Sequence, residues 1–599
     1  MKSILYLALA LICVICWPVW ISDTTLAFSN SILSVAVFAA LLWILCLDAR
    51  TTSDRRLKRY TLTLGLLFSL MTAFGHAIEQ FGRVPYESGR FWFAILVFSW
   101  VFSAVLRLVW QGVFSVEAQL EGGKCLPGWM NAVCRRMFAR MWLPAAVLLM
   151  CWLPCYLAVF PGNFVYDATE EYYQITYGYD GDFPMLHSAL IVRILAYARA
   201  LTGSYNVGIA IYTIVQMVLL ALMFAYILRW FFCEDMHPAL LLAGLVYYAL
   251  FPVIAMLTTC TVRDVLFSAL LVLTIFLLYQ LRRNPTAFFA SKFRAALLGI
   301  VLVTTCYARN NNAGMLFGVL LALAGLMIIC LAGKRNRHGA MIFLSTAVSC
   351  CVVLSVSLSI LCRPMNPPTG GAAISLLTQS INRAYTQKKE NWTEQEKETF
   401  HAFFEDADHI YYNPVNGDST KFNYLGEEED LGRFLRFWAQ IGRKYPACYA
   451  DAILANTSQM WFPDSVVDGY SYSDPEFMRR YEKSYFNLEE IIDSPGEHVG
   501  LLPGVLAFYN AIAQKISFEK IPVISMLFSI GFQFWVLLNA WFMARYRKAR
   551  AVGLALGLLL LYMICSAFTP LVLLRYYAAV FFAVPVILIL TIQMKKSMA

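Results

Sequence analysis

The densest chemistry in this chain follows one apolar run. The segment reads Pro161-Gly162-Asn163-Phe164-Val165-Tyr166-Asp167-Ala168-Thr169-Glu170-Glu171-Tyr172-Tyr173-Gln174. Pro-Gly stops the preceding helix. If the chain re-enters a helix behind it, Asp167, Glu170, Glu171 and Gln174 stand at i, i+3, i+4 and i+7 and share one face. Three adjacent carboxylates repel each other. They cost stability unless a cation, a positively charged substrate group or a shared proton offsets them. That is the pattern of a candidate catalytic centre, and a solvated acidic helix face has the same spacing. Tyr166, Tyr172, Tyr173, Tyr177 and Tyr179 interleave the acids. Such rings form interfacial belts, and they also offer flat faces on which a sugar stacks. Asp180-Gly181-Asp182 is an Asp-x-Asp triplet that can hold a divalent cation, Mg or Mn, between phosphates. A Gly/Asp turn has the same composition. His187 closes the segment.

Three further polar spots interrupt apolar runs: Arg263-Asp264, Arg309-Asn310-Asn311-Asn312 and Arg575-Tyr576-Tyr577. Each can be an interfacial anchor, and Arg575 can snorkel. Together they form a pattern, because arginine binds phosphate through two parallel hydrogen bonds. Carboxylates facing arginines suit a lipid-linked phosphate leaving group and a general base.

The elements that must position these residues are apolar. The chain has 599 residues, 60% hydrophobic and 14% charged, with mean hydropathy +0.61. Soluble domains carry about 25% charged residues. A soluble enzyme, a disordered scaffold and a single-pass receptor are excluded, which leaves an all-α polytopic membrane protein. Runs of about 17–25 residues give about fourteen transmembrane helices. They lie near 3–22, 27–47, 60–78, 91–114, 139–160, 206–229, 238–258, 264–281, 295–308, 313–332, 340–361, 521–543, 551–569 and 571–593. Residues 183–202, with His187, Arg193 and Arg199, read as an amphipathic helix lying in the interface. Residues 1–22 read as a span, with a cleaved leader as the alternative.

Basic residues set the orientation. Arg50 to Arg59, Lys124 to Arg136, Arg282 to Arg294, Lys334 to Arg337 and Arg545 to Arg550 fall on one side if fourteen spans are threaded from a cytoplasmic N-terminus. Both termini are then cytoplasmic. The acidic loop and the hydrophilic stretch 363–520 lie outside the cell membrane. That stretch holds 15 Lys and Arg against 23 Asp and Glu. Its lone cysteine, Cys448, excludes a disulfide framework. Thr393 and Glu396 form a capping box ahead of Phe400, Phe403 and Phe404. A second helix runs over 427–444 with Leu431, Phe434, Leu435 and Trp438 on its apolar face. Residues 463–503 read as loop. His401 and His409 read as surface histidines. The chain divides into 1–136, a four-span region; 137–362, a membrane core with its catalytic loop at 161–203; 363–520, a mainly helical extracytoplasmic domain; and 521–599, a three-span region.

The string Pro161-Gly162…Asp167…Gln174…His187, with Arg263-Asp264, Arg309-Asn310-Asn311 and the stretch Ile374 to Ser380, resembles the GT-C superfamily of integral-membrane glycosyltransferases, above all its uncharacterised bacterial branches. The resemblance covers about 137–470. It departs at His187-Ser188, where such relatives often have His-Pro. It implies a GT-C-like core and a polyprenyl-phosphate-linked sugar donor. The acceptor would be an envelope glycan, lipid or protein. Asp167 would be the general base of an inverting transfer, with Glu170, Glu171, Gln174, His187, Arg263, Asp264, Arg309, Asn310 and Arg575 around the substrate. No Gly-rich nucleotide loop is visible, and nothing points to nucleic acid. A lipid-sugar transporter or flippase, or an envelope polymer ligase, are the competing readings. Transporters favour broken spans and midplane charges in related halves, and no half-repeat is visible.

Overall fold

The computed structural model describes residues 2–593, without 24–30, 52, 122–126, 165–166, 310–335, 364, 367–373, 411, 422, 427–429, 464, 466–494, 498 and 511–522. The protein is built from α-helices. In chain order they begin α1 (Lys2–Trp20), α2 (Ile32–Arg50), α3 (Arg55–Phe81), α4 (Gly89–Glu121), α5 (Gly128–Ala139), α6 (Trp142–Ala158) and α7 (Asp167–Tyr177). Then follow α8 (Met185–Thr202), α9 (Tyr205–Cys233), α10 (Pro238–Leu250), α11 (Pro252–Thr259), α12 (Arg263–Arg283), α13 (Pro285–Ala290) and α14 (Lys292–Tyr307). Beyond residue 336 come apolar helices over Arg337–Leu361, Ile530–Tyr546, Arg550–Ser566 and Ala578–Ile592, with the helices of the 363–520 domain between them.

Among the described residues, eight helices are long and apolar enough to cross a membrane, or ten if each of two bent pairs is one span. Arg550–Ser566 and Ile4–Trp20 are shorter apolar helices. The expected span near 313–332 lies outside the described residues. One expected span is broken. Residues 238–258 bend by 54° between α10 and α11, where Pro252 removes an N–H and Phe251 turns extended. The expected span 139–160 corresponds to α6, which meets α5, in the expected loop before it, at 95°. The interfacial reading of 183–202 meets a counter-observation: α8 has the length and hydropathy of a span.

One apolar core runs through the bundle from Ala10 to Leu590. Polar contacts tie the first four helices to one another and to the rest. Arg107 forms two hydrogen bonds to Asp48, at 2.7 and 2.6 Å. Arg547 grips Glu117 with two more, at 3.0 and 2.6 Å. Trp20, from the stretch that could read as a leader, is buried and donates to Ser69. In a low-dielectric bundle such groups are tolerated only when paired.

The described part of 363–520 is mainly helical and has its own core, around Tyr385, Phe400, Phe403, Phe434 and Ile441. The Thr393–Glu396 capping box is formed in both directions. The helix over Leu431–Lys444 buries Phe434, Phe437 and Ile441 and leaves Leu431 and Leu435 exposed. Its apolar face is therefore rotated from the expected one, because the aromatic rings of Phe403 and Phe404 pack against Phe434. His401 and His409 are exposed. A two-residue parallel ladder pairs Tyr179–Asp180 with Met365–Asn366, fastening the acidic segment to the start of this domain.

Candidate functional site

The site starts from the Pro-Gly turn. Gly162 has φ +149°, and a Cβ there would meet the Thr213 hydroxyl at 2.2 Å, so only glycine fits. Next to it, Asn163 bridges the end of α11. Its N–H donates to the Thr259 carbonyl at 2.9 Å, and its carbonyl accepts from the Thr261 N–H at 3.0 Å. This pins the start of α7 beside the start of α12. Asp167, the first residue of α7, thereby meets Arg263, the first residue of α12.

Three arginines from three regions converge there on two aspartates. Arg575 Nη1 lies 2.7 Å from Asp167 Oδ2, and Arg263 Nη2 lies 3.3 Å from the same oxygen. Arg309 Nη1 stands 2.7 Å from Asp264 Oδ1, and Arg575 Nε is 3.6 Å from Asp264 Oδ2. Aromatic rings wall the cluster. Arg263 lies over Phe183 at 4.9 Å, and Arg309 and Arg575 lie over Tyr576 at 5.0 and 4.9 Å. The Tyr562 hydroxyl accepts from Arg309 at 3.4 Å and donates to the Tyr576 carbonyl at 2.6 Å. Asp264, Arg309 and Arg575 are buried, whereas Asp167 and Arg263 keep 19% and 20% of their side chains exposed. The mouth of the cluster is therefore on the Asp167–Arg263 side. Burial alone would raise the Asp167 carboxyl. The guanidiniums of Arg575, Arg263 and Arg309 outweigh it and hold Asp167 below the ordinary carboxylate range.

A second buried group sits one turn along α7. Glu171 Oε2 is 2.5 Å from His187 Nδ1, and His187 Nε2 is 2.8 Å from the Tyr212 hydroxyl. Gln174 is buried a further turn on. Glu170 departs from the expected shared face: it is exposed, because its position on α7 faces away from α8 and α12. Asn310 lies outside the described residues. Asp180 accepts from the Asp182 N–H at 2.9 Å, so the Asp-x-Asp triplet forms an Asx turn. Both buried-site aspartates are matched by guanidiniums. Tyr212 and Tyr562 were not singled out in the sequence. Each sits inside an apolar helix, where a tyrosine carries no local mark of function.

The fold and site define an all-α protein, with helices long enough to cross a membrane, carrying a buried arginine–aspartate cluster at the ends of several of them. Residues 182–599 match a family of unknown function, DUF6020, and the chain belongs to that family. The match contains His187, Arg263, Asp264, Arg309 and Arg575 and begins after α7. No curated protein matches the chain, and no solved structure does.

Proposed function

We propose that this protein is a membrane glycosyltransferase of GT-C type that moves a sugar from a polyprenyl-phosphate donor to a cell-envelope glycan, lipid or protein. One observation carries the reading: the guanidiniums of Arg263, Arg309 and Arg575 converge with Asp167 and Asp264 in a largely buried cluster that opens on the Asp167–Arg263 side. Arg263 Nη1 is buried, and no described residue accepts a hydrogen bond from it. A buried cationic group of this kind needs an anion, and a phosphate fits the guanidinium fork. The arginines would stabilise the departing phosphate as its bond to the anomeric carbon breaks. A carboxylate of α7 would take the proton of the attacking hydroxyl, and attack opposite the phosphate inverts the configuration. The resemblance nominates Asp167 for that role. In this reading the cluster faces outward, the 363–520 domain is extracytoplasmic, and the basic loops and both termini are cytoplasmic across fourteen spans.

The test is transfer from undecaprenyl-phosphate hexoses and pentoses by the full-length protein in liposomes. Arg575→Ala is expected to abolish transfer while membrane insertion persists. Unchanged transfer by that variant overturns the reading. Movement of the intact lipid-sugar across the bilayer without any acceptor would favour a flippase instead.

A further inference from the structure

Arg575 and Arg263 both bind Asp167 Oδ2, which weakens that carboxylate as a base, and the next carboxylate along the inward face of α7 is Glu171. Its Oε2 is taken by His187, but its Oε1 is buried and no described residue hydrogen-bonds to it. Its side chain has no exposed surface. A buried carboxylate oxygen with an unused lone pair is costly unless it serves a ligand. Gln174, at i+3, shows the same signature. It is 6% exposed, and neither its amide oxygen nor its amide nitrogen has a described partner. The two side chains share the inward face of α7 with Asp167, whose exposed edge is the mouth of the cluster.

The geometry points to Glu171 as the catalytic base and to His187 as its positioning residue, with Asp167 holding the arginines. This rests on the transferase reading. With the Nδ1 proton directed at Glu171 Oε2, His187 Nε2 accepts from the Tyr212 hydroxyl, which fixes the ring and aims Oε1. The acceptor O–H bond breaks toward Glu171 Oε1 as the acceptor oxygen bonds to the anomeric carbon. The bond from that carbon to the phosphate oxygen breaks, and its electron pair leaves on the phosphate among Arg263, Arg309 and Arg575. Glu171 ends protonated. Gln174 supplies both a donor and an acceptor to hydroxyl groups of the substrate. Burial of the base excludes competing hydrolysis.

The experiment uses the full-length protein in liposomes with a panel of undecaprenyl-phosphate hexoses and pentoses. Glu171→Gln keeps the acceptor oxygen for His187. It is expected to lower kcat by about 10²–10⁴-fold with the donor KM unchanged. Glu171→Ala is expected to regain transfer with added formate, which a merely structural role would not allow. His187→Asn, whose amide N–H can replace Nδ1–H, should retain far more activity than His187→Leu. The assignment is overturned if Glu171→Gln keeps wild-type kcat, or if formate rescues Asp167→Ala and not Glu171→Ala. Absence of transfer by the wild type across the panel overturns the transferase reading and this assignment with it. Activity in the wild type with an active Glu171→Gln overturns the assignment alone.

Discussion

Asp167 and Asp264 do the same electrostatic work under different exposure, and their substitutions should separate. Asp264 is fully buried between Arg309 and Arg575. Asp264→Asn leaves two buried guanidiniums short of charge, a loss of about 3–5 kcal/mol in a buried pair. Thermal unfolding in detergent should show a large drop in melting temperature for Asp264→Asn and a smaller one for Asp167→Asn. The Asp167 gap should also depend on pH. Its folded-state pKa is held below the unfolded value by Arg575, Arg263 and Arg309 against the effect of burial. Its contribution is therefore complete above about pH 4, the ordinary aspartate value, and is lost as pH falls through the lowered one. Unfolding curves for wild type and Asp167→Asn should converge on acidification, and a gap that widens below pH 4 would contradict the pairing. The sequence made these residues legible as types, since Asp167, Arg263, Arg309 and Arg575 stand out in apolar surroundings. It did not show that Arg575 reaches Asp167 across 408 positions.

Helices position the cluster through a few backbone contacts. Gly162 and Asn163 set where α7 begins, and the tether to Thr259 and Thr261 sets what it faces. Gly162→Ala forces a side chain onto Thr213 at a φ that L-residues rarely adopt. If the transferase proposal holds, transfer should fall sharply while the protein still inserts, as read by liposome assay and membrane fractionation. In the 363–520 domain, Thr393→Ala breaks the capping box and should cost about 1 kcal/mol. That is measurable by chemical denaturation and should leave the site untouched. The capping box was legible because its residues are three apart in sequence and act locally. The rotation of the Leu431–Lys444 face was not, because it is set by aromatic partners from a distant helix.

The bundle, the first four helices and the end of the described helical part of 363–520, through Trp461 and Phe462, share one apolar core, and a few polar contacts add to it. Asp451 accepts from the Val84 N–H at 3.1 Å and the Tyr86 hydroxyl at 2.9 Å, and Arg383 donates to the Gly82 carbonyl beside them. These contacts join the α3–α4 connection to the hydrophilic domain. Asp451→Ala orphans two donors, at about 1–3 kcal/mol for each that stays buried. Proteolysis near Arg83 should accelerate, while the domain core around Phe400 and Phe434 keeps its protection. Equal sensitivity of both regions would mean that the contact does not carry the docking. Cys448, the lone cysteine of that domain, is buried. An exposed position such as His409 replaced by cysteine would report its side of the membrane better.

The sequence by itself determined an all-α protein with long apolar helices, a loop rich in acids, and a short set of arginines where apolar runs are broken. Those properties are local: hydropathy over about twenty residues, helical spacing over seven, a cap over four. Tertiary structure alone decided which oxygen each arginine meets, that Glu170 turns away while Glu171 turns in, and that His187 and Tyr212 complete a buried chain behind Glu171. The physical reason is separation. Ion pairs form between groups brought together by packing of helices hundreds of residues apart, and no local pattern records that meeting.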